Sequence, residues 1–347
     1  MRENVLSYLQ HLLDKNLPFL ALRLSGENTV TILAQNDKTL HKTPHDNLSY
    51  GVFSKFQNND SQYFIYGDVE QNFDWNINPI VLQSQESPLS DSVEKDYLKL
   101  IDKAIQTLQT GALKKVVLSR KQSFQTALSP TDLYANILDA YAAANCYFFY
   151  HPHVGSWQGA TPETLVAMDS DELTTMSLAG TALWQKGMEH VWGAKELEEQ
   201  QFVTEHIVEA LKTAGVEGLV VSPVESVRAG TLLHLRTLIS ARTPFENHTT
   251  IAQALHPTPA ICGIPTQQAL EFISTNENYD RSFYTGYLGI VKSLEKRAFY
   301  FVNLRCMELK EKEATVYVGG GITAKSNAQA ELKETVNKSQ TMSSLLN

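Results

Sequence analysis

The sequence predicts an α+β fold in which many strands pack with a few long helices. Short runs of β-branched and aromatic residues recur between Gly, Asn, Asp and Pro turns, which is the pattern typical of strands. Three long segments carry apolar residues at helical spacing. These elements do not alternate as a regular βαβ series, and no repeat of fixed period is present. A layered α+β architecture is therefore expected.

Differences in amino-acid composition divide the chain into three stretches. Residues 1–83 alternate short strand-like runs with polar turns and are predicted to be a strand-rich part of the same domain. Residues 84–94, rich in Ser, Gln, Glu and Pro around their start, are predicted to form an exposed connection. Residues 95–347 then form the main core, and they contain the segments that carry the functional argument.

The predicted elements can be located by their start and stop signals. Helices are expected at about 93–110, where Gly111 follows, at about 196–213, and from near Asn327 almost to the carboxyl end. Short apolar runs between turn signals predict strands at residues 115–119, 146–150, 165–168, 287–291, 298–305 and 314–318.

Composition excludes several classes of function. The formal charge is −9, with no Lys/Arg block, which argues against a nucleic-acid partner. No uncharged apolar run approaches the roughly 20 residues that a bilayer-spanning helix needs, and no export signal is recognisable at the amino terminus. The three cysteines are too far apart for paired metal spacing and favour a reducing compartment. A cytoplasmic protein acting on a small molecule is expected.

Two helices place acidic side chains on one face. On the last helix, Glu331, Glu334 and Lys338 are three and four residues apart, and Glu196 and Glu199 repeat the spacing on the earlier helix. Each face taken alone is typical of solvated surface. Together they offer four carboxylates, the hard oxygen ligands that magnesium prefers. The pattern therefore indicates a possible magnesium pocket completed by an anionic substrate.

Three further features are individually weak. Gly319, Gly320 and Gly321 precede the last helix and could present bare backbone N–H groups to an anion at a helix start, although three glycines are more often a turn. Lys115 opens a predicted strand, and Glu163 follows a proline turn. Each of these two is more typical of surface or loop, and no spacing rule joins them.

Nine segments, in order, resemble the motifs of the chorismate-utilising enzymes, the family of anthranilate, aminodeoxychorismate, salicylate and isochorismate synthases. The resemblance covers residues 95–347 and is only loose over the first 83. The matching segments are KVVLSR at 115–120, ATPE at 160–163, LAGTA at 178–182, KELEE at 195–199, LHPTPA at 255–260, YDR at 279–281, NLRC at 303–306, GGGI at 319–322 and ELKET at 331–335, with Lys338 beyond.

This resemblance implies a fold of two facing antiparallel sheets with outer helices and a site between them. It also implies a magnesium ion that holds the ring carboxylate of chorismate. Glu199 and Glu334 look like direct magnesium ligands, with Glu196 and Glu331 acting through metal-bound water. A single chain is expected to act as a monomer.

The substrate-binding residues are likewise implied by the resemblance. Arg305 and the backbone of Gly320 and Gly321 correspond to the site for the enolpyruvyl carboxylate, where a planar guanidinium can grip both oxygens. The remaining expected substrate-binding residues are Gly180, Thr181, Ala260, Lys338 and His256. For His256, its Pro-rich turn favours a position in the wall of the pocket over a proton-carrying role.

The same resemblance assigns the chemistry. A neutral amine at Lys115 would take a proton from water as that water attacks ring carbon two. Glu163, on the opposite side, would protonate the hydroxyl leaving ring carbon four, which requires its pKa to be held up. The implied activity is the isomerisation of chorismate to isochorismate, for menaquinone or catechol siderophore biosynthesis.

Three alternatives stay open at this point. Salicylate synthases share the lysine and go on to eliminate pyruvate, but they usually carry threonine where this chain has Ala260. Amine-forming synthases generally lack the lysine, which also disfavours a subunit supplied with ammonia by a glutaminase. A non-catalytic chorismate-binding relative would be expected to lose Lys115, Glu163 or a metal carboxylate, and all are present.

Overall fold

A computed structural model describes residues 2–45, 47–57, 61–80, 82, 89, 91–187, 190–229 and 232–346. Within these ranges the helices are α1 (Arg2–Asp14), α2 (Asp91–Gln109), α3 (Pro130–Ala140), α4 (Ala194–Thr213), α5 (His248–Leu255), α6 (Thr266–Asn276) and α7 (Ala328–Ser343). None of these helices is both long and apolar enough to cross a membrane.

The strands are β1 (Phe19–Arg23), β2 (Thr29–Ala34), β3 (Tyr50–Ser54), β4 (Gln62–Tyr66), β5 (Val69–Asp74), β6 (Lys115–Gln125), β7 (Asn145–His151), β8 (Gly155–Thr161), β9 (Thr164–Asp169), β10 (Glu172–Leu183), β11 (Val220–Val221), β12 (Glu225–Ala229), β13 (Leu232–Arg242), β14 (Gly263–Ile264), β15 (Tyr287–Lys292), β16 (Arg297–Val302), β17 (Cys306–Lys310) and β18 (Glu313–Thr323).

These strands form two nine-stranded sheets, named here the first and the second sheet. The first has the order β14-β6-β18-β17-β8-β7-β1-β2-β5. The second has the order β11-β13-β10-β9-β16-β15-β3-β4, with β12 beside β13. Neighbouring strands in both sheets pair antiparallel, as in the β6–β18 pair, which matches Lys115 with Thr323.

The two sheets face each other across a core rich in aromatic residues. Phe53 of β3, in the second sheet, stacks on Phe149 of β7, in the first, with ring centroids 4.4 Å apart. Trp157 of β8 joins the same buried cluster. Because each buried aromatic ring removes a large apolar area from water, this layer holds the sheets together. The predicted α+β fold of two facing antiparallel sheets is confirmed.

Helices cover the outer faces. α1 and α3 pack on the first sheet, where Val5 and Leu133 share one buried cluster. α4 and α5 cover the second sheet through a cluster that includes Val203 and Ile251. α2, α6 and α7 pack around the β6–β18 end of the first sheet, with Ile101 at the centre of their cluster.

The amino-terminal stretch contributes strands to both sheets. β1 pairs with β7 in the first sheet, and β3 pairs with β15 in the second. Of the predicted connection at residues 84–94, residues 84–88 and 90 lie outside the described part of the chain, and α2 begins at Asp91.

The three long predicted helices are found as α2, α4 and α7. Asn327 caps α7, because its side-chain oxygen accepts a hydrogen bond from the Ala330 backbone N–H at 3.0 Å. The expectation that three glycines form a turn or a helix start was wrong. They lie inside β18, paired with β6, and α7 starts only at Ala328. At Gly319 the strand leaves no room for a side chain, since a Cβ there would come within 2.7 Å of the Leu118 carbonyl oxygen.

The strand expected at 298–305 is also shorter than predicted. β16 ends at Val302, and Arg305 has a left-handed backbone with φ of 47°. The physical reason is that the chain here leaves the second sheet and enters β17 in the first. An extended strand cannot continue through such a crossing.

Candidate active site

A cavity of about 130 Å³ lies where the chain passes between the two sheets. Two crossings border it: residues 162–163, between β8 and β9, and residues 303–305, between β16 and β17. Its described lining consists of Val117, Pro162, Glu163, Leu178, Ala179, Gly180, Thr181, Glu196, Glu199, His234, Ala260, Leu304, Arg305, Gly319, Gly320, Gly321, Glu331, Glu334 and Lys338.

Glu163 occupies the first crossing and is only 4% exposed. The turn is held by backbone contacts, because the Glu163 N–H donates to Thr161 Oγ1 at 3.2 Å and the Val302 N–H donates to the Glu163 carbonyl at 3.1 Å. Burial raises the pKa of the Glu163 carboxyl to about 8, and the charge of Lys115 opposes this only in part. Glu163 therefore holds a proton at neutral pH and can donate it.

Lys115 is the first residue of β6, and its side chain is 3% exposed. Its Nζ lies 2.6 Å from Glu199 Oε1 on α4. The amine packs under Gly321, since a Cβ on that glycine would come within 2.9 Å of Lys115 Cε. Lys115 is not itself in the cavity lining, but its contacts with two lining residues and its effect on Glu163 put it at the cavity wall. The tertiary structure thus brings together two residues that no spacing rule joined.

The four predicted metal carboxylates all line the cavity. Glu196 and Glu199 come from α4, and Glu331 and Glu334 come from α7. Glu334 Oε1 lies 2.5 Å from the ammonium of Lys338, just as Glu199 is paired with Lys115.

These donors fit magnesium by their chemistry, because all are hard carboxylate oxygens that converge on one cavity. Among the described residues, no three acidic, His or Cys side chains are gathered closely enough to hold an ion in the present arrangement.

Arg305 occupies the second crossing, in a backbone conformation that a non-glycine residue rarely adopts. Its carbonyl accepts a hydrogen bond from the Ala160 N–H at 3.0 Å, which ties the crossing to β8. Arg305 is half-buried, and its Nη1, which is shielded from solvent, has no hydrogen-bond partner among the described residues. A buried, unpaired donor that lines a cavity is suited to the carboxylate of a substrate.

The turn that contains Gly180 and Thr181 is a distortion of β10, where the pairing register with β13 shifts between Ala179 and Ala182. Gly180 has a φ of 65°, and a Cβ there would also come within 3.1 Å of the Trp192 ring. A glycine is therefore required at this position. Thr181, beside it, lines the cavity as expected.

Of the other predicted substrate-binding residues, Ala260, Gly320, Gly321 and Lys338 line the cavity, whereas His256 does not. His256 is buried behind it, with Nε2 3.3 Å from the Phe56 carbonyl oxygen and its ring packed edge-on against Tyr287. Burial lowers the pKa of His256 to about 4. His256 therefore packs behind the cavity lining, contrary to its expected place in substrate binding.

His234, between Leu233 and Leu235, resembles a family position that flanks the pocket, although a packing role fits its sequence equally well; the structure places it in the cavity lining, on β13. Its Nδ1 lies 2.7 Å from the Gly180 carbonyl oxygen, so this nitrogen carries a proton and donates. Burial, with Arg305 nearby, lowers the pKa of His234 to about 3 and keeps the ring neutral. A histidine between apolar strand residues gives no pattern that separates this role from packing.

Comparison with known proteins agrees with this geometry. A family model described as "Chorismate binding enzyme" matches residues 58–347. The isochorismate synthase EntC of Escherichia coli is 30% identical over 275 residues, covering 76% of this chain and 68% of that protein. The isochorismate synthase DhbC of Bacillus subtilis is 29% identical over 269 residues, covering 72% of this chain and 67% of the relative.

The fold is also found among solved structures. MenF, the menaquinone-specific isochorismate synthase from Escherichia coli, superposes with a TM-score of 0.82, covering 95% of this chain and 89% of that one, at 20% identity. The named relatives are isochorismate synthases, which are isomerases. Since the family model covers most of the sequence and the fold and cavity agree with it, this chain belongs to the chorismate-binding enzymes.

Proposed function

We propose that this chain is an isochorismate synthase, a magnesium-dependent isomerase that converts chorismate into isochorismate. The proposal rests on two buried groups that meet at one cavity, the amine of Lys115 and the protonated carboxyl of Glu163. Acidic side chains line the same cavity. The similarity to relatives named isochorismate synthases supports the proposal.

In the proposed reaction, Lys115 acts in its neutral amine form and removes a proton from water as the water oxygen bonds to ring carbon two. The two ring double bonds shift along the ring, and the bond from carbon four to its hydroxyl breaks. Glu163 supplies the proton with which that hydroxyl leaves as water, so the product is an isomer of the substrate. The high pKa of Glu163 supports the role of general acid, because a carboxyl of ordinary pKa would already be ionised at neutral pH.

The other residues would bind and orient the ring. Arg305, with its unpaired buried Nη1, would hold the enolpyruvyl carboxylate beside the backbone of Gly320 and Gly321. Lys338 and Thr181 would complete this side of the pocket.

Magnesium would be held directly by Glu199 and Glu334, with Glu196 and Glu331 acting through bound water. When bound, the ion supplies positive charge for the ring carboxylate. We propose further that the enzyme works in the cytoplasm as a monomer and supplies menaquinone or siderophore biosynthesis, the two settings named among its relatives.

Incubation of the purified chain with chorismate and magnesium tests the activity. Isochorismate, salicylate, pyruvate and, with ammonium present, anthranilate are separated by chromatography. Isochorismate is expected as the only product.

We expect Lys115→Gln and Glu163→Gln each to lower kcat by roughly 10²- to 10⁴-fold, the usual contribution of general acid–base groups. Lys114→Gln removes the neighbouring exposed lysine and is the matched control. Near-normal turnover in either of the first two variants would disprove the role given to that residue.

Ala260 tests the choice between isochorismate and salicylate formation, because it lines the cavity in a position where lyase relatives usually carry threonine. We expect Ala260→Thr to increase pyruvate release relative to isochorismate. An unchanged product ratio would refute this account of selectivity while leaving the isomerase assignment intact.

A further inference from the structure

A second cavity, of about 540 Å³, shares no lining residue with the catalytic cavity. It is bounded by the first turns of α2, by residues 119–121 of β6 and by the end of α6 with the residues that follow it. We refer to it as the α2–β6 cavity. The catalytic argument uses none of its residues.

The charges around the α2–β6 cavity contrast with those of the whole chain. Four basic side chains line it, from Lys99, Lys103, Arg120 and Lys121. Only two carboxylates do so, Asp96 and Glu277. The cavity is therefore locally basic in a protein of formal charge −9.

One of these carboxylates is already neutralised. Glu277 forms a fully buried ion pair with Arg281, with Arg281 Nη2 2.6 Å from Glu277 Oε1, and it also accepts hydrogen bonds from Ser119. The other, Asp96, is exposed and lies 3.6 Å from the exposed Lys99. The excess of positive charge in the cavity therefore remains.

Arg120 is the buried member of the group, at 4% exposure. Its Nε donates to Thr335 Oγ1 at 2.9 Å and its Nη1 to Gln122 Oε1 at 3.3 Å, whereas Nη2 has no hydrogen-bond partner among the described residues. A buried guanidinium nitrogen without a hydrogen-bond partner is unfavourable, so an anion that reaches Nη2 from the cavity would satisfy it.

The three lysines line the same cavity as Arg120 and are exposed to solvent. Lys121 lies 5.3 Å from the centre of the Tyr279 ring, and Lys103 is on α2. A lysine side chain has a flexible stem, so these ammonium groups can turn toward a ligand that arrives from solvent. A buried guanidinium with several exposed ammonium groups suits an anion of more than one charge.

We propose that the α2–β6 cavity binds the phosphate group of a small molecule, with Arg120 as its buried anchor and Lys99, Lys103 and Lys121 as its rim. A phosphate carries a charge of about −1.5 to −2 at neutral pH and presents three acceptor oxygens. It therefore matches both the number of donors and the charge better than a single carboxylate does.

Isothermal titration calorimetry with inorganic phosphate and pyrophosphate tests the proposal, without magnesium and with chloride balancing the ionic strength. Saturable binding to the wild-type chain is expected. Lys103→Gln combined with Lys121→Gln should weaken binding about tenfold. Lys15→Gln combined with Lys38→Gln removes the same two charges at exposed sites elsewhere and should change the Kd less than twofold. Equal weakening by both changes would identify non-specific attraction and overturn the proposal.

Arg120→Lys keeps the charge but removes the planar fork, and it should weaken binding at least tenfold. If this variant does not fold, the two exposed lysine variants still decide the question. Arg305→Gln with Lys338→Gln removes cations of the catalytic cavity, and phosphate binding should persist. Loss of binding in that double variant, or no saturable binding to the wild-type chain, would refute the site.

Discussion

At the scale of single residues, Glu163 shows how position in the fold sets chemistry. It sits in the short passage from β8 to β9, where both sheets shield it from water, and its carboxyl is consequently held neutral. The sequence places it after a proline turn, a location typical of an exposed loop. Its buried state results from the crossing between sheets and not from its neighbours in sequence.

The raised pKa of Glu163 predicts a pH-dependent stability. The ordinary pKa of the group is 4.5, and the folded value is about 8, so between these the folded chain holds a proton that the unfolded chain releases. Folding stability contributed by this group is therefore fully present below pH 4.5 and is lost as pH rises to about 8, by up to about 1.4 kcal/mol per pH unit.

Glu163→Gln removes this dependence, so the free energy of unfolding of the variant minus that of the wild type should increase from pH 5 to pH 8. Urea unfolding at intervals of one pH unit measures it. Exposed Glu217→Gln serves as the control. A constant difference across this range would mean that Glu163 ionises normally.

At the scale of elements, the glycines of β18 allow Lys115 to reach its partners. Extended pairing with β6 brings Gly321 directly over the Lys115 side chain. A Cβ on Gly321 would meet Lys115 Cε at 2.9 Å and Glu199 Oε1 at 3.2 Å, whereas a Cβ on Gly320 has its nearest neighbours at 3.9 Å. Substitution of these two adjacent glycines by alanine therefore gives a crowded test variant and an uncrowded control.

Gly321→Ala is expected to lower kcat/KM at least tenfold, because the added methyl group displaces the amine from the cavity wall. Gly320→Ala should lose less than threefold, since ordinary van der Waals space is open there. Steady-state kinetics with chorismate provide the comparison, and circular dichroism checks that both variants fold. Equal losses would contradict a specific role for the space above Lys115.

Arg281, in the loop after α6, connects three elements through buried contacts. Its Nη2 donates to the Val117 carbonyl of β6 at 2.6 Å, its Nη1 donates to the Ile261 carbonyl at 3.2 Å, and Glu277 neutralises it. Val117 and Ala260, next to Ile261, both line the catalytic cavity. Arg281 is therefore a positioning residue for two parts of its wall.

Removal of Arg281 leaves a buried carboxylate and two carbonyls without partners. We expect Arg281→Ala to lower the free energy of unfolding by about 3–5 kcal/mol, the usual cost of breaking a buried ion pair on one side. Arg242→Ala breaks an exposed pair with Glu172 and should cost less than about 1 kcal/mol. Urea denaturation of both variants measures the difference, and similar values would exclude a special role for the buried network.

At the scale of the whole molecule, the acidic residues of the site come from helices on different sheets. α4, with Glu196 and Glu199, packs on β10 and β13 of the second sheet, whereas α7, with Glu331 and Glu334, packs on β18 of the first. A cation bound by both pairs would link the two layers. Binding should therefore stabilise the folded chain as a unit.

We therefore expect the Tm to rise as the magnesium concentration increases. At a magnesium concentration one hundred times the Kd, the free energy of unfolding should be higher by about 2.7 kcal/mol. Calorimetry should show this rise in Tm for the wild type but not for Glu199→Gln or Glu334→Gln. Glu205→Gln, which removes an exposed carboxylate from α4, should keep it. A shift of equal size in all four would place the ion elsewhere.

The sequence by itself determined the class of fold, the three long helices and the set of residues from which the site is built. Alternating apolar strands and capped helices such as α7 follow from local side-chain chemistry, which acts over a few neighbouring residues. Motif order identified Lys115, Glu163 and the four glutamates by resemblance, although no periodicity connected them.

Only the tertiary structure decided the surroundings of those residues. It placed Lys115 beside Glu199, buried Glu163, gave Arg305 its left-handed turn, put the three glycines inside β18 and left His256 behind the cavity. Each of these outcomes depends on contacts between segments far apart in the chain. Burial and electrostatic environment arise from those contacts, so local sequence patterns cannot specify them.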